Sequence, residues 1–283
     1  MLNALRHGLN EAGYVVDKNV VIEFRFADGQ YDRLQELAED LVRRQVAVIV
    51  TGGGELVALS AKTATANIPI VMGGAEDPVR FGLIASFNRP GGNITGVAGF
   101  IGQLGTKQLG LLRELVPKAD VIAMLVNPKD SWADSQIRDT QSAAHSVGQH
   151  LVVLKASTQD DIDTAFTILV QQRVAALLVI ASPFFVTRAE QLIGLSARHV
   201  LPTIYFRREL TAAGGLMSYG PNTAEVYNQM GVYAGKILSG TKPADLPVQQ
   251  SSKFELVINL KTARTLGFDI PPTLLARADE VIE

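Results

Sequence analysis

Hydrophobic positions along the chain alternate between two patterns. Apolar, β-branched runs occupy residues 20–26, 47–51, 69–72, 121–126, 150–155, 176–181 and 202–206. Short runs of this kind between turn residues read as strands of a parallel sheet buried on both faces. Between them, apolar residues recur at helical spacing. Over 31–44, Leu34, Leu37, Leu41 and Val42 share a face. Over 160–172 the same holds for Ile162, Phe166, Leu169 and Val170, and Ser157-Thr158-Gln159-Asp160 ahead of them has the form of a capping box. Over 223–238, Val226, Met230, Tyr233 and Ile237 stack, with Gly240 just past the end. The chain opens on a further helical pattern, Leu2, Leu5, Leu9 and Ala12, closed by Gly13.

Strand–helix–strand repetition predicts an α/β fold with parallel sheets and right-handed crossovers. Strand starts at 20, 47, 69, 121, 150, 176 and 202 are separated by 22 to 29 residues, except for one step of 52. The long step holds a loop, Asn88-Arg89-Pro90-Gly91-Gly92-Asn93, and an extended run over 94–100. It marks the passage from one lobe to a second. In a doubly wound sheet of order 2-1-3-4-5 the first strand is central. A chain that opens on a helix leaves that place empty, so the expectation is that residues upstream of Met1 supply a first strand and a signal sequence.

Composition narrows the function. Hydrophobic residues make up 47% and charged residues 19%, the balance of a folded globular chain. The 26 Lys and Arg against 28 Asp and Glu leave a net charge of −2, so no bulk field draws the protein to nucleic acid or anionic membrane. With no cysteine, disulfides, cysteine metal sites and thiol catalysis are excluded. The longest apolar run, 175–186, is too short to span a bilayer, which takes ~20 residues.

Catalytic motifs are missing. His7, His145, His150 and His199 read as lying on separate helices or at strand starts, as surface or cap residues, and no HExxH, GxSxG or Walker lysine is found. Thr51-Gly52-Gly53-Gly54 follows a strand and opens a helix, but fails the dinucleotide fingerprint at its last position. Asp160, Asp161 and Asp163 read as the acidic first turn of a helix. In open α/β sheets ligands sit outside the carboxyl ends of strands. Those positions hold Thr51, Gly52 and Gly53; Gly73 to Asp77; Asn127 and Pro128; Ser182 to Phe185; and Tyr205 with Glu209. Gly loops there present backbone N–H groups, Phe184, Phe185 and Tyr205 offer an apolar wall, and Asp77 or Glu209 a counter-charge to an ammonium.

Several stretches carry a family resemblance. They are Gly8–Tyr14, Asp77-Pro78-Val79, the PGGN-x-TG run Pro90–Gly96, Leu125-Val126-Asn127-Pro128, Gly214-Gly215-Leu216-Met217-Ser218-Tyr219-Gly220, Gly240–Pro247 and Phe254–Asn259. In this order the chain resembles the ABC-transporter substrate-binding proteins with a type I periplasmic-binding fold, in the branch that includes tryptophan- and tyrosine-binding members. The resemblance implies two doubly wound parallel-sheet lobes joined by a hinge, with the first lobe lacking its first strand here. The lobes would be 1–99 with 219–247 and 100–218 with 248–283, crossing near 97–101, 217–221 and 247–252. It implies a small solute, an amino acid or related carboxylate, held in the cleft and delivered to a permease in the inner membrane, by a monomer that needs no catalytic residue, cofactor, metal or nucleic acid. Carried over residue by residue, Thr51, Gly52, Gly53, Glu76, Asp77, Asn127, Ser182, Phe184, Tyr205, Glu209 and Ser218 would line that cleft. Location would be periplasmic given an upstream signal, and cytoplasmic for the chain as it stands. Two alternatives remain open. One is an enzyme on a doubly wound fold acting on a nucleotide or sugar, with Glu76, Asp77 or Glu209 as its acid or base. The other is a ligand-sensing regulator, which the lack of a helix-turn-helix and basic patch disfavours.

Overall fold

The structure, a computed structural model, describes residues 1–99, 104–251 and 253–283. From the N-terminus the elements are α1 (Leu2–Glu11), α2 (Leu34–Arg43), β1 (Ile49–Gly52), α3 (Glu55–Ala64), β2 (Ile70–Ala75) and β3 (Ile94–Ala98). Next come α4 (Leu104–Leu115), β4 (Val121–Val126), α5 (Ala133–Ser146), β5 (His150–Lys155), α6 (Gln159–Gln171) and β6 (Ala176–Val179). They are followed by α7 (Pro183–Thr187), α8 (Ala189–Arg198), β7 (Thr203–Tyr205), α9 (Arg208–Ala212), β8 (Met217–Pro221) and α10 (Thr223–Leu238). The last are β9 (Gln249–Gln250), β10 (Phe254–Asn259), α11 (Leu260–Leu266), α12 (Pro272–Leu275) and β11 (Glu280–Ile282). Contacts divide the chain into two compact units, Met1–Phe100 with Asn222–Ser252 and Ile101–Pro221 with Lys253–Glu283.

The first unit is built on a parallel sheet of order β1-β2-β3-β9. One core, around Ile49, Ile70, Met72 and Ile94, receives Leu41 and Val42 from α2. The other joins Val71 and Val97 to Leu5, Leu9, Met230, Tyr233 and Ile237 of α1 and α10. These two helices approach through glycines. A Cβ on Gly8 would lie 1.9 Å from the Asn228 carbonyl oxygen, and one on Gly231 would lie 2.2 Å from that of Leu5. No other side chain fits at either position.

The run at 20–26 does not form the strand its apolar character predicts. It makes only an isolated bridge, Val16 to Val20. A strand needs a neighbour to complete its hydrogen-bond ladder, and β1 is an edge of the sheet among the described residues. The segment is held instead by side chains. Ile22 packs against the core that holds Leu5, Val71 and Met230, and Arg25 donates from Nε to Asp40 Oδ2 on α2 at 2.8 Å.

The second unit has a sheet of order β11-β10-β8-β7-β6-β4-β5. Its strands pair in parallel except β8 with β10, which run antiparallel from Met217 opposite Ile258 to Pro221 opposite Phe254. The predicted strands at 121–126 and 150–155 form at those bounds, whereas those at 176–181 and 202–206 shorten to β6 and β7. The capping box also forms, one residue on from the quoted acid. Thr158 Oγ1 accepts from the Asp161 N–H at 3.2 Å, and Asp161 Oδ2 accepts from the Thr158 N–H at 2.9 Å. Of the three expected crossings, 217–221 is β8, while 97–101 and 247–252 run partly outside the described residues. Among the described residues, no helix is long and apolar enough to cross a membrane.

Candidate functional site

In the first unit, β1, β2 and β3 run parallel in neighbouring register, so their carboxyl ends lie on one side. Thr51 and Gly52 end β1, Gly73 lies opposite Gly52, and Glu76 and Asp77 follow β2. Gly53 and Gly54 take φ of +120° and +92°, which turns the chain from β1 into α3. A side chain at Gly52 would strike the Tyr227 hydroxyl, 2.3 Å from the added Cβ. Thr51 is 4% exposed and its Oγ1 has no hydrogen-bond partner. A buried hydroxyl left unsatisfied costs stability, so Thr51 is a candidate contact for a polar ligand atom.

The two predicted acids of this unit differ in setting. Asp77 is exposed, and its Oδ1 accepts from the Arg80 N–H at 3.0 Å, which caps a local turn. Glu76 is half-buried. The N–H groups of both donate to Oε1 of Glu55, at 3.2 Å for Asp77. These amides are therefore engaged by the protein's own carboxylate.

In the second unit, Asn127 follows β4 and Ser182 follows the neighbouring β6. Asn127 Nδ2 donates to Ser182 Oγ at 3.2 Å, and its Oδ1 accepts from the Lys129 N–H at 3.1 Å. Trp132 pins the same edge by donating from Nε1 to the Ala181 carbonyl at 2.8 Å. Pro183 then opens α7, as suits a residue with no N–H to place. Phe184 and Phe185 bury their rings with centroids 5.5 Å apart, in the core that also holds Phe166 and Leu192.

Tyr205 and Ser218 are register partners on β7 and β8. Ser218 is 1% exposed and its Oγ, like that of Thr51, has no partner. The Tyr205 ring is wholly buried in the core and its hydroxyl donates to Ser196 Oγ on α8 at 3.2 Å. Burial pushes the phenol up to about 12. The structure thus brings Asn127 together with Ser182, but directs the Tyr205 hydroxyl to α8 instead. Glu209 stands exposed in the first turn of α9. A surface depression of about 370 Å³ in this unit, lined by Gln159 and residues 186–191, includes none of the predicted site residues.

Four residues near these strand ends escaped the sequence reading: Glu55, Tyr227, Asp130 and Trp132. Asp130 is a buried acid three residues after Asn127. The available signal was position, since Glu55, Asp130 and Trp132 each lie within six residues of a strand's carboxyl end. Tyr227 had none, because it comes from α10, far along the chain. Among the described residues, no group of His, Asp and Glu is placed to hold a metal ion.

The two sheets with their crossover helices make an α/β fold of the type I periplasmic-binding class, as the solved structures that it resembles show. Comparison with known proteins supports this class. The sequence model of the ABC transporter substrate binding protein family matches residues 1–282, and the chain belongs to that family. A tyrosine-binding protein of Clostridioides difficile is 26% identical over 91% of this chain and 74% of its own. The crystal structure of an ABC domain in complex with L-Trp from Streptococcus pneumonia superimposes with a TM-score of 0.87 at 25% identity, covering 99% of this chain and 93% of that one. A conserved domain protein from Vibrio cholerae gives 0.87 at 26% identity, covering 99% and 95%. This chain is a substrate-binding protein of an ABC transporter, a class that pairs a small-molecule ligand with a membrane permease.

Proposed function

We propose that the solute is an amino acid, with tyrosine and tryptophan the first candidates. The observation that carries this reading is the likeness, over 99% of the chain, to a structure bound to L-Trp. The curated tyrosine-binding relative agrees in ligand class. In this reading strand-end groups are the candidate contacts. The Thr51 and Ser218 hydroxyls, both buried and without a partner, take hydrogen bonds from it or donate to it. Asn127 and Ser182 form a second polar pair, and Gly52 and Gly53 allow close approach of backbone. Glu76, Asp77 and Glu209 supply negative charge toward an ammonium. Phe184 and Tyr205 stiffen the walls from within the core rather than touching the solute. The protein acts as a monomer outside the cytoplasmic membrane, catalyses no reaction, and delivers the solute to its permease.

Thermal denaturation against L-tyrosine, L-tryptophan, branched amino acids, sugars, nucleosides and NAD tests the reading. A ligand at a hundredfold its Kd adds ~2.7 kcal/mol, a rise of roughly 5–10 °C for a chain this size. An aromatic amino acid is expected to give it. A shift with sugars, nucleosides or NAD and none with amino acids would overturn the reading.

A further inference from the structure

We infer that Glu55 is a positioning residue: without touching the solute, its carboxylate holds the loop after β2 in place beside the loop after β1. The inference rests on the reading that an amino acid binds at these strand ends. Glu55 is the first residue of α3 and is wholly buried. Acidic side chains are almost never fully buried unless engaged. Here Oε1 accepts from two successive backbone donors, the N–H groups of Glu76 and Asp77, the latter at 3.2 Å. Hydrogen bonds to an ionised acceptor are the stronger kind.

Both loops turn on glycines. Gly53, Gly54 and Gly74 have φ of +120°, +92° and +79°, conformations that glycine adopts and readily leaves. The Asp77 side chain is engaged with its own turn through the Arg80 N–H. The Gly54 N–H reaches the Gly73 carbonyl only at 3.4 Å. Glu55 adds a side-chain link, since it follows the β1 loop directly in sequence and accepts from the β2 loop through space. A loop held in its bound form before the solute arrives has no ordering cost left at binding, and affinity rises accordingly. The same bonds occupy the Glu76 and Asp77 amides, so the solute meets Thr51 Oγ1 at this edge and not those N–H groups.

The test uses the full chain and two readouts. The first is amide hydrogen exchange at Glu76 and Asp77. In the unaltered protein both amides are expected to exchange as slowly as those of β2, although Asp77 is exposed. Fast exchange there would overturn the inference without any variant. The second is the Kd for L-tyrosine and L-tryptophan by calorimetry. Glu55→Ala should speed exchange at the two amides and weaken binding, each by about tenfold or more. Glu55→Gln, which keeps an acceptor oxygen, should restore binding to within roughly threefold of the parent. A folded Glu55→Ala variant with parental Kd and parental exchange would sink the inference. So would a folded Glu55→Gln variant as impaired as Glu55→Ala. If the unaltered protein binds neither amino acid, the functional reading fails, and the exchange measurement still decides whether Glu55 holds the loop.

Discussion

Asn127 Nδ2 donates to Ser182 Oγ at 3.2 Å, which ties together the carboxyl ends of the neighbouring parallel strands β4 and β6. Both residues are almost wholly buried. Two residues that are 55 apart in sequence thus act as one polar unit.

Replacing Asn127 by Ala removes that bond and leaves the Lys129 N–H without its acceptor. Leaving the buried Ser182 hydroxyl unsatisfied costs about 1–3 kcal/mol, and the part-buried bond to the Lys129 N–H is lost as well. Denaturant titration of Asn127→Ala should show a loss of that order, with Ser182→Ala losing less because it strands only the one Asn127 donor. Equal losses for the two variants would contradict this account.

The glycine contacts of α1 and α10 set two effects against each other. Helix propensity alone makes Gly231→Ala stabilising by ~1 kcal/mol. The Leu5 carbonyl oxygen 2.2 Å from the added Cβ predicts the opposite. Overpacking of this kind costs about 1–3 kcal/mol, and backbone atoms have little room to yield. Gly231→Ala and Gly8→Ala should both lower the unfolding midpoint, and a rise in either would show that the helices part easily.

Tyr205 makes stability depend on pH in the alkaline range. Burial holds its phenol at about 12, against the ordinary value of 10.0. In the folded protein the proton is held more tightly than in the unfolded chain. The stability is therefore fully present below about pH 10 and is lost as pH rises toward about 12. Tyr205→Phe should remove that part of the alkaline decline, and it should cost about 0.5–1.5 kcal/mol at neutral pH for the lost bond to Ser196. A spectrophotometric titration that finds every tyrosine ionising near pH 10 would refute the assignment.

The α6 cap works in the acid range. Backbone N–H groups of Ser157 and Thr158, with the side chains of the same residues, hold the Asp161 carboxyl below its ordinary 3.8. Its contribution is present above that value and fades as pH falls through the lower folded pKa. Asp161→Asn should flatten the acid limb of the stability profile. Thr158→Ala should cost about 1 kcal/mol at neutral pH, measured by thermal denaturation.

Much of the fold was legible from hydrophobic periodicity. The strands β4 and β5 and the helix α10 lie at the bounds their patterns predict, because burial on both faces of a strand or one face of a helix imposes that period directly. The candidate site was legible by rule and by resemblance, since strand ends are where α/β sheets bind ligands. That rule named Thr51, Asn127 and Ser182, and the family resemblance added Ser218; all four are buried polar residues. It could not tell which way Tyr205 points, because the direction of a side chain at the end of a strand depends on the strand's neighbours.

The amino-acid sequence by itself determined the class of fold, the places of β4, β5 and α10, and membership of a solute-binding family. All of these follow from local patterns, in which each residue's neighbours along the chain carry the information. Tertiary structure alone decided the rest. It left 20–26 without a ladder, since hydrogen bonding needs a second strand. It set Tyr227 against Gly52 and Gly231 against Leu5, contacts between residues far apart in the chain. It also turned Glu55, which reads in sequence as an ordinary acidic first turn, into the acceptor for two amides more than twenty residues away, because only packing excludes the water that would otherwise have satisfied all three groups.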